Sequence, residues 1–224
     1  VTEFVIALIS ECCEFNYEYP NTKETPEYIS IKADKGWADL MSEKIEYVAS
    51  SDTQPKLIFP GAFNPLHDGH EAMSKLAEKE TGAKTFFEIC IQNVDKPPLS
   101  YHQISKTINQ FNSTQDWVLT KAGKFSDKAK LFPNSTFIIG ADTLVRIFDE
   151  RFYASRSDML AQFDIFNKNN NKFLVFGRKY QDKFIELKDV QLPDSISSLF
   201  KGFGENIFRE DISSSSIREE NSEE

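Results

Sequence analysis

The sequence predicts an α/β fold, a doubly wound parallel sheet preceded by a small N-terminal appendage. Three observations lead there. Short apolar runs bounded by Pro and Gly recur from residue 56 onward and have the length of buried strands. Amphipathic stretches of helical length stand between them. Strands that alternate with helices pair in parallel, with crossover helices on both faces.

Taken in order, KLIFP (56–60) is the first strand. HEAMSKLAEKETG follows it, with Ala72, Met73, Leu76 and Ala77 on one helical stripe and Gly82 as its stop. KTFFEICIQ (84–92) is the next strand and LSYHQISKTINQF (99–111) the next helix. DWVLT (116–120), TFIIG (136–140) and KFLVFGR (172–178) are further strands, with helical stretches over 142–150 and 157–167. Ligands of such sheets sit beyond the carboxyl ends of the strands, so that edge is where chemistry is expected.

Residues 1–55 read differently. They carry eleven acids against four lysines, a net of −7, which leaves −2 of the total −9 for residues 56–224. EFVIALISECCEF reads as a helix, GWADLMSEKIEYV as a second helical or mixed segment and SSDTQP as a linker. The expected division is an accessory segment, or the tail of an upstream domain, over 1–55 and the main domain over 56–224. The first residue is Val, which hints at a fragment or a processed chain.

The bulk composition narrows the partners. With 40% hydrophobic residues and twenty Phe among 224 positions, the chain can build a real core. A net charge of −9 argues against a nucleic-acid partner held by its phosphate backbone, yet a few cations and backbone N–H groups can still bind a small phosphorylated ligand. Cys12, Cys13 and Cys90 are odd in number and two are adjacent, so a reducing compartment and no disulfide framework are expected. There is no apolar run of membrane-spanning length and no leader pattern, and a cytoplasmic protein without a membrane partner is expected.

GAFNPLHDGH (Gly61 to His70) follows the first strand directly. Gly61 admits close backbone approach, Asn64-Pro65 makes a turn, Gly69 clears space between the two histidines, and His70 opens the helix. A helix N-terminus offers unpaired N–H groups and partial positive charge, which suits a phosphate. Two imidazoles beside it can donate to oxygens that gain charge during phosphoryl transfer. A single His at a helix start is more often a cap or a surface residue, and a structural zinc site would need further ligands that the neighbourhood lacks. Near the other end, ISSSSIRE (Ile212 to Glu219) has two readings: a disordered terminus, or serines that begin a helix while Arg218 clamps a phosphate.

Together these stretches resemble the signatures of the nucleotidylyltransferase superfamily, whose fold is Rossmann-like and akin to that of class I aminoacyl-tRNA synthetases. Gly-aromatic-Asn-Pro followed by His-x-Gly-His is one signature; Ile212, Ser213, Ser214, Ile217 and Arg218 match the other, with Ser215 where Thr is usual. The resemblance covers about residues 56–219 and implies transfer of a nucleoside monophosphate from ATP or CTP to a phosphorylated acceptor. It implies His67, His70 and Arg218 as catalytic residues, and Gly61, Ala62, Phe63, Gly69, Ser213, Ser214 and Ser215 as nucleotide-binding ones. No protein metal site is implied; Mg²⁺ would arrive mainly on the triphosphate.

FIIGADTL and FLVFGR resemble segments of nicotinate and nicotinamide mononucleotide adenylyltransferases, which makes Asp142 and Arg178 acceptor-side candidates, with Lys96 from VDKPPLS as a third. Asp142 or Thr143 capping the next helix is the plainer reading of that segment. Lys106 stands roughly where relatives often have Arg, and the usual pair of acceptor-side tryptophans is missing, with Phe148, Phe152 and Tyr153 nearest. The best expectation is adenylylation of nicotinamide or nicotinic acid mononucleotide. Phosphopantetheine or a polyol phosphate is the alternative acceptor, and a non-catalytic nucleotide-binding module is the rival from another class. A homo-oligomer is compatible with all of them.

Overall fold

A computed structural model describes residues 2–15, 32–92, 97–180, 183–210, 212, 214, 217 and 218. The chain forms two compact units, Val1–Lys32 and Ala33–Glu224. The first holds α1 (Thr2–Cys12), on the apolar stretch that predicted a helix.

The second unit begins with α2 (Lys35–Met41), whose first turn is capped by the Asp34 carboxylate accepting from the Trp37 N–H at 2.7 Å. Then come β1 (Tyr47–Ala49), β2 (Leu57–Pro60), α3 (Asp68–Thr81), β3 (Thr85–Cys90), α4 (Tyr101–Ile108), β4 (Asp116–Thr120), α5 (Phe125–Leu131), β5 (Thr136–Gly140) and α6 (Ala141–Ile147). The remainder is α7 (Arg156–Lys168), β6 (Lys172–Phe176), a small antiparallel pair β7 (Arg178–Tyr180) and β8 (Lys183–Ile185), α8 (Asp194–Ser197) and β9 (Phe200–Phe203).

Seven strands form one sheet in the order β1-β4-β3-β2-β5-β6-β9. Every neighbouring pair is parallel except β1 with β4. Alternate residues of each strand enter opposite cores. Leu57, Phe59, Phe87 and Ile89 meet Met73 and Ala77 of α3 and Ile104 of α4 on one face. Ile58, Phe86, Phe137 and Val175 meet Ala129 of α5, Leu144 of α6 and Phe163 of α7 on the other. This is the expected doubly wound, Rossmann-like sheet, and its central strands are buried on both faces because helices cover both.

Two departures from the sequence expectation are instructive. The sheet takes in β1, which lies upstream of the boundary expected between residues 55 and 56, because Tyr47, Val48 and Ala49 pair with Thr120, Leu119 and Val118. β9 and α5 are absent from the sequence reading: FKGF carries a Gly and a Lys inside a strand, and FSDKAKL is too short to show a period. Among the described residues, no helix is long and apolar enough to cross a membrane.

Candidate active site

The crevice follows from the strand order. β2 lies between β3 and β5; from β2 the chain winds to one side through β3 and β4, and from β5 to the other through β6 and β9. The carboxyl ends of β2 and β5 therefore open at the topological switch point. The Gly61–His70 loop leaves the first and Ala141–Asp142 leaves the second.

Phe63 shapes the loop. Its backbone is left-handed, at φ 44°, while its ring is only 1% exposed and packs against Phe59, Phe87 and His70 with centroids 5.5, 5.2 and 5.1 Å away. A Cβ at Gly61 would come within 2.6 Å of that ring, so the tight turn requires glycine. Within the segment that the resemblance marks as nucleotide-binding, the Phe63 ring is part of the core. Gly61 and Ala62 do border open space.

The two histidines meet. α3 starts at Asp68, two residues earlier than the expected opening at His70, and His67 holds the cap position without bonding the backbone through its ring. The imidazoles stack at 3.7 Å with 27° between planes. His67 is 9% exposed, and among the described residues neither of its ring nitrogens nor Nδ1 of His70 has a hydrogen-bond partner. Buried polar atoms are normally satisfied, so three orphaned ring nitrogens side by side are unusual. Burial, reinforced by the Arg178 charge, lowers the pKa of His67. Burial, then the charges of His67 and Arg178, lowers that of His70 to about 3. Both rings are neutral at pH 7, each with one N–H to donate.

The serine-led segment comes back to the same loop. Ser214 Oγ donates to the Pro65 carbonyl at 2.8 Å, and the Arg218 guanidinium donates to the Asn64 carbonyl. Ile212 lies over Gly69, where an added Cβ would stand 3.1 Å from both Ile212 Cγ2 and the His67 ring. Ser213, Ser215 and Lys96 lie outside the described residues.

Asp142 and Arg178 face each other, with 3.9 Å between Oδ1 and Nε. Asp142 does not cap α6, whose cap residue is Gly140 and has no side-chain bond. Arg178 borders a narrow recess with His67, Gly69 and Ile212. Neither Asp142 nor Arg178 lines the broad cleft of about 1180 Å³ on the other side of the loop. That cleft is bordered by Ala62 and Arg218, by the cations Lys106, Lys128 and Arg146, and by Tyr153.

A family model described as cytidylyltransferase-like matches residues 58–220, from β2 through the serine-led segment. The chain belongs to that family. It is 27% identical over 131 residues to a Schizosaccharomyces pombe protein named "Putative nicotinamide mononucleotide adenylyltransferase", a match that takes in 53% of this chain and 50% of that protein. The chain thus spans about half the length of the curated relative it matches. A Plasmodium falciparum nicotinic acid mononucleotide adenylyltransferase, solved in complex with NaAD, overlaps 75% of this chain and 83% of that one at 17% identity and a TM-score of 0.39. That likeness is too slight to argue from.

Within this cytidylyltransferase-like domain, sequence reading missed several cleft residues. Glu88 of β3 is 1% exposed and takes the Lys128 ammonium of α5 on both oxygens, at 2.6 and 2.7 Å, with Thr120 Oγ1 also donating to it. A signal existed: a glutamate inside the apolar strand TFFEIC must find a partner when buried. Of the aromatics that the sequence put nearest the acceptor side, Tyr153 borders the cleft, its hydroxyl donating to the Ile147 carbonyl, whereas Phe148 packs against Phe163. Gln110, just beyond α4, grips the histidine loop with its side-chain amide, and nothing local in the sequence announces it.

Proposed function

We propose that this domain is a nucleotidyltransferase that moves AMP from ATP to nicotinamide or nicotinic acid mononucleotide and releases pyrophosphate. One observation carries the reading. Arg218 and Ser214, from the far end of the domain, hold the carbonyls of Asn64 and Pro65, in the loop whose buried histidines leave three ring nitrogens without partners. Family membership and the name of the fission-yeast relative support it.

The acceptor phosphate attacks the α-phosphorus in line, so the P–O bond to the leaving pyrophosphate breaks as the new one forms, and no covalent enzyme intermediate is required. Catalysis is positioning plus charge stabilisation. Neutral His67 and His70 donate N–H to oxygens at the α- and β-phosphates. Ser213, Ser214 and Ser215 receive the β/γ end, Arg218 meets the departing pyrophosphate, and Gly61, Ala62 and Gly69 keep the backbone close. Arg178, beside His67, reinforces the positive field, with Asp142 holding its guanidinium. Lys96 remains an acceptor-side candidate, and the broad cleft with Lys106, Arg146 and Tyr153 has room for the acceptor. A magnesium ion carried on the triphosphate would neutralise its charge. Phosphate oxygens and water suffice to hold Mg²⁺ in that role.

The test is pyrophosphate release from ATP or CTP across a panel of phosphorylated acceptors, with the product identified by mass. Dinucleotide from ATP and a pyridine mononucleotide is expected. Product only from CTP and a polyol phosphate, or only from phosphopantetheine, would replace the acceptor; nucleotide binding without release would replace catalysis with a binding role.

A further inference from the structure

The histidine loop is held by more than its own turn. Gln110 bridges its two ends: the Gln110 amide nitrogen Nε2 donates to the Phe63 carbonyl at 2.9 Å while its amide oxygen accepts from the Leu66 N–H at 2.9 Å. The next residue, Phe111, lays its ring against those of Phe63 and Phe87, with centroids 5.8 and 5.0 Å away. Two consecutive residues beyond α4 therefore grip Phe63 by backbone and ring together. Phe63 needs that grip, because a left-handed backbone is disfavoured for a side chain branching into a core and persists only where its surroundings over-determine it. Between the two ends of the Gln110 bridge lie Asn64 and Pro65, and their carbonyls receive Arg218 and Ser214.

We propose that Gln110 is a positioning residue of the phosphate site. It fixes the loop in the conformation that presents the Asn64 and Pro65 carbonyls, in succession, to Arg218 and Ser214, and so sets the serine-led segment over the histidines. The proposal rests on the nucleotidyl-transfer reading above, and it reaches further, since Gln110 belongs to neither motif. Its effect on polyphosphate passes through Arg218; direct contact with the acceptor is a different role, and the two separate experimentally.

The experiment compares the whole chain with Gln110→Ala, Gln110→Met, Arg218→Ala and the Gln110→Ala/Arg218→Ala double variant. Gln110→Met keeps the length of the stem and removes only the hydrogen bonds. Turnover, KM for ATP and for the acceptor, calorimetric affinity for ATP, and melting temperature are recorded. Each Gln110 variant is expected to lose about tenfold or more in kcat/KM for ATP and in ATP affinity, as loop misplacement commonly does. Acceptor KM stays put, and melting moves by no more than about 4 °C. The double variant falls to about the level of Arg218→Ala alone, because residues acting through one another are non-additive. Additive losses, a raised acceptor KM with ATP parameters unchanged, or wild-type values in Gln110→Met overturn the proposal. If the wild type binds ATP but releases no pyrophosphate with any acceptor, the transfer reading fails, while the affinity cycle still decides the role of Gln110. If the wild type does not bind ATP, both fail.

Discussion

The imidazole of His67 lies stacked on that of His70, 3.7 Å between centroids, at the start of a helix whose Gly69 is flanked by the His67 ring and by Ile212. Burial lowers the pKa of both rings, which favours their neutral forms, and among the described residues three of their nitrogens have no hydrogen-bond partner.

Removing either donor should slow the chemistry without unfolding the chain. His70→Ala and His67→Ala are each expected to lower kcat by about 10²–10³, the usual loss for one transition-state donor. Circular dichroism and melting check the fold alongside. Turnover near the wild-type rate in either variant removes that histidine from the mechanism.

The depressed pKa of His70 has a stability consequence of definite sign. Its ordinary value is 6.5 and its folded value about 3, so between these the unfolded chain binds a proton that the folded chain refuses. The contribution of neutral His70 is complete above 6.5 and is lost as pH falls toward 3. The urea midpoint should therefore drop on acidification from about pH 7 to about pH 4.5, and the drop should be shallower in His70→Asn. Equal slopes in the two proteins would show that His70 is not buried neutral.

Arg218 should tolerate neither truncation nor lysine. A planar fork that holds a backbone carbonyl and phosphate oxygens cannot be reproduced by a point charge. Arg218→Lys is expected to recover less than about a tenth of the kcat/KM lost in Arg218→Ala, read by pyrophosphate release with ATP varied.

The buried pair of Glu88 and Lys128 lines the cleft wall, and breaking it is costly. Lys128→Met leaves a carboxylate buried and is expected to destabilise by about 3–5 kcal/mol in urea unfolding. The double change Glu88→Leu/Lys128→Met should cost less than either single one, since two apolar groups leave nothing unpaired. A double variant as unstable as the sum of the two single ones would mean that Glu88 and Lys128 do not act through each other.

Gly61 is dictated by the ring beneath it. Gly61→Ala should destabilise by about 1–3 kcal/mol, the usual cost of overpacking, and should disturb the histidine loop. Pairing it with Phe63→Leu removes the clashing ring atoms and should return part of the stability; no return would locate the strain elsewhere.

Much of this was legible in the sequence. KLIFP, DWVLT and TFIIG are strands with bounds within a residue of those read from the apolar runs, and KFLVFGR overruns β6 by two residues, because β2, β4, β5 and β6 are buried enough for apolarity to mark them. Gly82 ends α3 with φ at 69°, as a glycine stop does. β1 was not legible as part of the sheet, since YVA is three residues long and lies in an acidic stretch; only its partner β4 makes it a strand. Phe63 reads as loop core in the sequence, but which rings it meets, Phe59, Phe87 and Phe111, only the packing shows.

By itself the sequence determined the alternation of strands and helices, the loop with two histidines after β2, and the serine-led segment with its arginine. These are local matters: periodicity, turn residues and the chemistry of neighbours in the chain. Only the tertiary structure decided that Arg218 reaches Asn64, that Lys128 finds Glu88 and that Gln110 bridges Phe63 and Leu66. Those partners stand tens to more than a hundred residues apart, and no local propensity encodes a contact whose energy exists only once the sheet has brought its carboxyl ends together.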